Sequence, residues 1–253
     1  MAPAWLTFFD ALLSIALIAA GIVGAHFYLI EPFVGFGLFG LGVFLSVLGL
    51  LVGLLAIFLT RKPQLAAGRN RALVGTVVCA LIAIPVIVTF IRSSFKYPPI
   101  NDITTDFDNS PEFVFAQKLQ HEAGRNMKYD KAKYADRQQA GYGPISPIKE
   151  RLEPSAEFAR VTEVANAAPT WKITYSDSAK NTLEAVATSW LFHFQDDVVI
   201  QIRPTPDGVS LIEMRSKSRD GIGDFGVNAR RIRRFFDRVA LARGKVNAQE
   251  EIP

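Results

Sequence analysis

Apolar residues follow two different patterns along this chain. Up to about residue 92 they come in unbroken runs; beyond it they fall at every second position or at every third and fourth. Residues 11–30, "ALLSIALIAAGIVGAHFYLI", form a run of 20 in which His26 is the only acid or base. Residues 33–59 add 27 without a charge, and residues 72–91, "ALVGTVVCALIAIPVIVTFI", a further 20. A helix crosses a hydrocarbon core of about 30 Å with roughly 20 residues, so each run predicts a membrane span. The first 96 residues are thus expected to form a three-span helical bundle, with Pro85 inside the third span.

From residue 148 the periods are those of a folded domain. Residues 146–168 suggest one helix, or two broken near Pro154, with Phe158, Val161 and Val164 at helical spacing. Residues 171–175, 183–194, 198–203 and 209–216 alternate as strands, and Asp207-Gly208 is a hairpin turn. Val186, Trp190, Phe192 and Phe194 fall on one face of the second of these strands and form a candidate apolar face. Residues 228–242 close the chain with Ile232, Phe235, Phe236 and Val239 in an amphipathic stripe. The expectation is an α+β domain at 148–253, a four-strand antiparallel sheet covered by helices. Residues 97–147, polar and marked by Pro98-Pro99, are expected to be an extended linker packed on the domain rather than helical.

Charge places the chain in the membrane. Residues 61, 62, 69 and 71 make the loop between the second and third runs basic, with no acid in it. The positive-inside rule then predicts a cytoplasmic loop and N-terminus, and a C-terminal domain on the far side. In a bacterial inner membrane that side is the periplasm. Residues 97–253 carry 22 basic and 22 acidic side chains, so a nucleic-acid partner is not expected. The last part is locally basic, since residues 215–245 hold ten Lys or Arg against three acids, which suits either anionic lipid headgroups or a plain solvated helix face. In the second span Gly42, Ser46, Gly49 and Gly53 strip one helix face for close packing, either against the chain's own spans or against another membrane subunit. His26, near the outer bend, could ligate a pigment or hydrogen-bond a neighbouring helix.

Catalytic and metal signatures are not evident. The one cysteine, Cys79, lies in an apolar run, and the histidines after the spans, His121 and His193, stand alone. An EF-hand loop opened at Asp106 would need glycine and glutamate where the chain has Pro111 and Gln117. No metal, cofactor or enzymatic activity is therefore expected. What stands out is "RSKSRDGIGDFGVNARR", residues 215–231. Gly221, Gly223 and Gly226 permit tight turns, Asn228 is a natural N-cap, and Arg215, Arg219, Arg230 and Arg231 lie close in sequence. An anion or lipid headgroup could sit there on Arg215, Arg219, Gly223, Gly226, Asn228 and Arg231. The competing expectation is a structural corner whose arginines take Asp196, Asp197 or Asp224 as internal partners.

The stretch "FQDDVVIQIRP" followed by "SLIEMRSKSRDGIGDFGVNARRIRRF" resembles the uncharacterised domain-of-unknown-function family numbered fourteen ninety-nine. That family occurs in bacteria and plastids, in some members behind membrane spans. The resemblance rests on Asp196, Asp197, Arg215, Ser216, Ser218, Arg219, Gly223, Asp224, Gly226, Asn228 and Arg231. "PPINDITTD" at residues 98–106 resembles the leading segment of its membrane-attached members. The resemblance implies no activity. Many members carry a cysteine shortly before the domain, which this chain lacks. The reading that follows is a non-catalytic inner-membrane accessory or scaffold protein, with membrane lipids and another membrane protein as partners. Its alternatives are a carrier or sensor of an anionic lipid, cupped by Trp190, Phe192 and Phe194, and an enzyme on envelope lipids with Asp196 or Asp197 as base.

Overall fold

The structure is a computed structural model that describes residues 2–122 and 124–250, without the side chains of residues 2, 3, 63, 120–122 and 244–250. His121 thus lies outside the described side chains. The chain divides into two compact units, Met1–Ser93 with Trp190–His193, and Ser94–Ser189 with Phe194–Pro253.

The first unit holds α1 (Ala2–His26), α2 (Pro32–Leu59) and most of α3 (Ala66–Lys96), each long and apolar enough to cross a membrane. Each helix outruns or shifts from its apolar run. Arg69 and Arg71 belong to the first turns of α3, and Asp10 lies inside α1. The first helix stops at His26 because Tyr28 takes a left-handed backbone conformation (φ +57°), and Pro32 opens α2 at a position where no N–H is needed. Gly42, Ser46, Gly49 and Gly53 all lie on the buried face of α2. A Cβ on Gly42 would come 2.7 Å from Ile18 and 2.8 Å from the Ser14 carbonyl. One on Gly49 would strike the Asp10 carboxylate and sit 2.7 Å from the Cys79 sulfur. The small-residue stripe is therefore filled by α1 and α3 of the same chain, the first of the two packings expected for it. His26 Nδ1 lies 3.2 Å from the Trp190 carbonyl in this unit.

The second unit is built on a six-stranded antiparallel sheet, not four. Strands β3 (Trp171–Asp177), β4 (Thr182–Thr188), β5 (Gln195–Pro204) and β6 (Ser210–Ser218) form the expected meander. Two short strands unforeseen from the sequence, β1 (Asp102–Thr104) and β2 (Ile148–Glu150), share the outer edge of β6. The 97–147 segment is likewise not a plain linker. It carries β1 and two helices, α4 (Phe115–Glu122) and α5 (Lys131–Tyr142), the latter capped by the Asp130 side chain on the Lys133 N–H. Gln138 of α5 hydrogen-bonds both the N–H (3.0 Å) and the C=O (2.6 Å) of Thr104, so an amide side chain stands in for a further strand at that edge.

The sheet has two unlike faces. On one, Leu183, Ala185, Val198, Ile200, Ile202, Ile212 and Met214 meet α6 (Pro154–Asn166) and α7 (Val227–Glu250) in the main hydrophobic core. The α7 stripe supplies Ile232, Phe235 and Val239, and Phe235 stacks on Trp171 at 5.1 Å. On the other face the alternate residues are Asp102, Glu184, Asp197, Glu213, Arg215 and Lys217, which meet Pro111, residues 114–116 and Met127. A small apolar patch of Phe113, Ala116, Met127 and Val199 closes that side.

The second strand of the meander ends earlier than its apolar content predicts. It stops at Thr188, where the Ser189 N–H bonds the Phe194 carbonyl and the Ser189 hydroxyl accepts from the Phe194 N–H. His193 takes φ +58° between them. Trp190 and Phe192 are therefore loop residues, the first exposed and the second buried against Phe36 and Phe39 of its own unit. Phe194 precedes β5, and Val186 belongs to the charged face of β4. Trp190, Phe192 and Phe194 thus do not line one strand face as expected.

Candidate functional site

The pleat of β5 and β6 decides the fate of the arginine corner. Consecutive residues of a strand point to opposite faces, so Asp196 and Asp197 are separated by the sheet, as are Arg215 and Ser216. The arginines therefore do not converge on one point. Arg215, Arg219 and Arg231 each close on an acid of the chain, while Arg230 donates to the Phe225 carbonyl (3.0 Å) and the Tyr97 hydroxyl (3.3 Å).

Arg215 is 1% exposed and lies on the charged face. Its Nε and Nη2 each donate to Asp102 at 2.8 Å, in the forked geometry that suits a carboxylate. Nη2 also donates to the Met127 carbonyl (2.8 Å) and Nη1 to that of Pro111 (3.4 Å). The guanidinium sits 5.0 Å from the Phe113 ring and 5.3 Å from that of Tyr129. Lys217 reaches the same Asp102 at 2.9 Å. Arg219, just beyond β6, grips Asp197 with Nε (3.0 Å) and Nη2 (2.7 Å) and also donates to Gln195. Arg231 approaches from α7 on the helix-covered face, donating to Asp196, to Asn228 and to the Ser216 hydroxyl (2.9 Å). Of the internal partners expected, Asp196 and Asp197 are thus engaged. Asp224 is not paired with Arg219.

Asp224 instead opens α7. One of its oxygens accepts from the Gly226 N–H (2.8 Å), the other from the Asn228 N–H (2.7 Å). The capping role expected of Asn228 therefore belongs to Asp224, because the helix starts at Val227 and Asn228 is already within its first turn. The Asn228 side chain is fully buried and joins strands to helix, accepting from Ser216 Oγ (2.7 Å) and donating to Ser218 Oγ (2.9 Å). Gly223 lies against Pro99 and Gly226 against the Tyr97 ring, so both are packing positions, and Gly226 also has φ +77°. Burial pushes the Asp224 carboxyl up, against the N–H groups of Asn228 and Gly226 and the Tyr142 hydroxyl. Burial and the adjacent Asp224 charge push the Tyr142 hydroxyl up in turn.

Further buried acids escaped the sequence reading: Glu150 and Glu157, which share Arg160, and Glu184 and Glu213. Glu184 accepts from the backbone N–H groups of Val114, Phe115 (3.0 Å) and Ala116 (2.8 Å), so the N-terminus of α4 is occupied by the chain's own carboxylate. Glu213 is held by Arg203, which also donates to the Asn109 carbonyl (2.7 Å). Burial pushes both carboxyls up; Glu184 is pulled back by its backbone donors and Glu213 by Arg203. The signal of Glu184 and Glu213 in the sequence is a single acid among the apolar positions of a strand, in "TLEAVAT" and "SLIEMRS". Asp106, considered above for calcium, accepts from the N–H groups of Asp108 (2.8 Å) and Asn109 (2.9 Å) as a turn residue. Among the described residues no three His, Cys, Asp or Glu side chains are grouped to hold a metal ion.

A family model described as "Protein of unknown function (DUF1499)" matches residues 102–239, from β1 to within α7. No curated protein matches the chain.

Proposed function

Starting from the fact that the chain belongs to the family described as Protein of unknown function (DUF1499), we propose that it is a non-catalytic scaffold. In this reading three spans fix a rigid α+β domain to a bacterial inner membrane, with the domain on the periplasmic side, where it binds another envelope protein. The basic loop between the second and third spans supports that orientation. One observation carries the reading. Arg215, Arg219 and Arg231, the groups best suited to hold a ligand, are each closed on Asp102, Asp197 or Asp196. The same pairing weighs against Asp196 or Asp197 as a general base, since each faces a guanidinium rather than a substrate space. It weighs equally against a lipid headgroup in that corner.

The test is purification of the full chain from its native membrane in mild detergent, followed by native mass spectrometry and a phosphate titration. The scaffold reading expects one protein partner in fixed ratio and no shift of the unfolding temperature with inorganic phosphate. A partnerless chain carrying one tightly bound anionic lipid, stabilised by phosphate, would overturn it in favour of the carrier.

A further inference from the structure

The loop that joins β6 to α7 presents apolar side chains outward. Ile222 is 84% exposed and Phe225 44%, and Val227, the first residue of α7, 38%. The loop is nonetheless firmly built. Asp224 bonds two of its N–H groups, and the Asp224 N–H donates to the Ile100 carbonyl (3.1 Å). Asn101 Nδ2 donates to the Gly221 carbonyl (2.6 Å), and Phe225 is held at φ +49°. A rigid loop with apolar side chains turned outward is unusual on a domain surrounded by water on all sides.

Its anchor points are the residues that follow the third span. Gly226 packs on Tyr97, Gly223 on Pro99, and the polar contacts run to Ile100 and Asn101. Tyr97 is the residue after the last of α3. The apolar run ends at Ile91, so residues 92–96 add about 7.5 Å of helix at about 1.5 Å each. A headgroup layer is about 5–8 Å thick on each side. With α3 taken as a span, Tyr97 falls at headgroup level, and the loop is tied to it. The charge around it matches as well. Lys96 (5.1 Å) and Arg230 (5.6 Å) both lie over the Tyr97 ring, and among the described residues no carboxylate pairs with Arg230. Of the loop's two acids, Asp220 is taken by Arg125 (3.3 Å) and Asp224 is buried against the Gly226 and Asn228 N–H groups.

We propose that this loop is a membrane-interface anchor: Ile222 and Phe225 insert among the lipids of the bilayer that the chain spans, with Tyr97 and Arg230 at headgroup level. The proposal rests on the three helices being spans and is independent of the side on which the domain lies.

The test uses the full chain in nanodiscs of phosphatidylethanolamine and phosphatidylglycerol, with one spin label per variant at Ile222→Cys, Asp207→Cys or Leu81→Cys. The parent chain, whose only thiol is the buried Cys79, supplies the labelling background. Collision with oxygen is compared with collision with a water-soluble nickel complex. Oxygen is expected to dominate at 222 and at 81, and nickel at the hairpin turn of Asp207. Nickel dominating at 222 while oxygen dominates at 81 would overturn the anchor and leave the spans intact. Nickel at both would overturn the spans and the anchor with them. Shielding of 222 in native membranes but not in nanodiscs would likewise overturn it and give the surface to a protein partner.

Discussion

Replacing Arg215 with Met tests the central claim that the arginine corner is structural. The methionine keeps the apolar stem between Phe113 and Tyr129 but removes the guanidinium. Asp102, fully buried, keeps only Lys217, and the Met127 and Pro111 carbonyls lose a donor. Breaking a buried ion pair by removing one partner costs about 3–5 kcal/mol, and the remaining lysine holds the loss toward the lower end. For a domain of this size each kcal/mol corresponds to about 2–4 °C, so the unfolding temperature should fall by roughly 6–20 °C. The assay is urea unfolding of the full chain in micelles, followed by near-ultraviolet dichroism, to which the Trp171–Phe235 stack contributes. Adding Asp102→Asn removes the stranded charge and should restore part of the loss, a coupling that independent sites lack. An Arg215→Met variant within about 1 kcal/mol of the parent, or strictly additive losses, would refute the buried pair as the reason for the arginine.

Other outcomes follow from the same geometry. Asp224→Ala should destabilise by about 1–2 kcal/mol through loss of the α7 cap, measured by urea midpoint. Gly49→Leu should prevent assembly of the three-helix bundle, seen as lost expression and melting in detergent. Gly40→Leu should be tolerated, because a Cβ there meets nothing within 4 Å. Glu157, Glu184, Glu213 and Asp224 are all pushed up by burial. A carboxyl raised in the folded state keeps its proton longer there than in the unfolded chain. Its stabilising contribution is full below the unfolded pKa and is lost as pH rises through the folded value. Their contribution to stability should therefore grow as pH falls toward the ordinary carboxylate range, and Glu213→Gln should flatten that slope in thermal melts.

What could be read from the sequence was what repeats locally. The Asp207-Gly208 hairpin and the Ile232–Val239 stripe declare themselves within a dozen or so residues, because burial on one side imposes a period, and the spans do so by unbroken apolar runs of 20 or more. β1 and β2 did not, since three residues have no period and both are strands only because β6 accepts them, Asp102 lying opposite Lys217. Helix α5 was hidden by its own polarity: its buried positions include Gln138, kept inside by hydrogen bonds rather than by hydrophobicity. At the corner, the aspartate–arginine pairings of Asp196 and Asp197 were legible as types but not as partners. The sheet pleat sends the two acids to opposite faces, and Arg215 finds Asp102 from 113 positions away. The run Leu183–Phe194 misled because apolar alternation continues past Thr188 into a loop that packs Phe192 on other aromatic rings.

The unlike faces of the sheet also guard the way the strands come together. A slip of β6 by one residue against β5 would turn Glu213, Arg215 and Lys217 into the hydrocarbon layer and Ile212 and Met214 into the charged one. Neither side could absorb the error, because one would strand charges and the other would leave them without counterparts. A sheet with one wet face tolerates such a shift far better. Here misregistered pairings, and exchange of strands between neighbouring copies in a crowded membrane, are rejected twice over, so the ionic layer serves as proofreading for the fold.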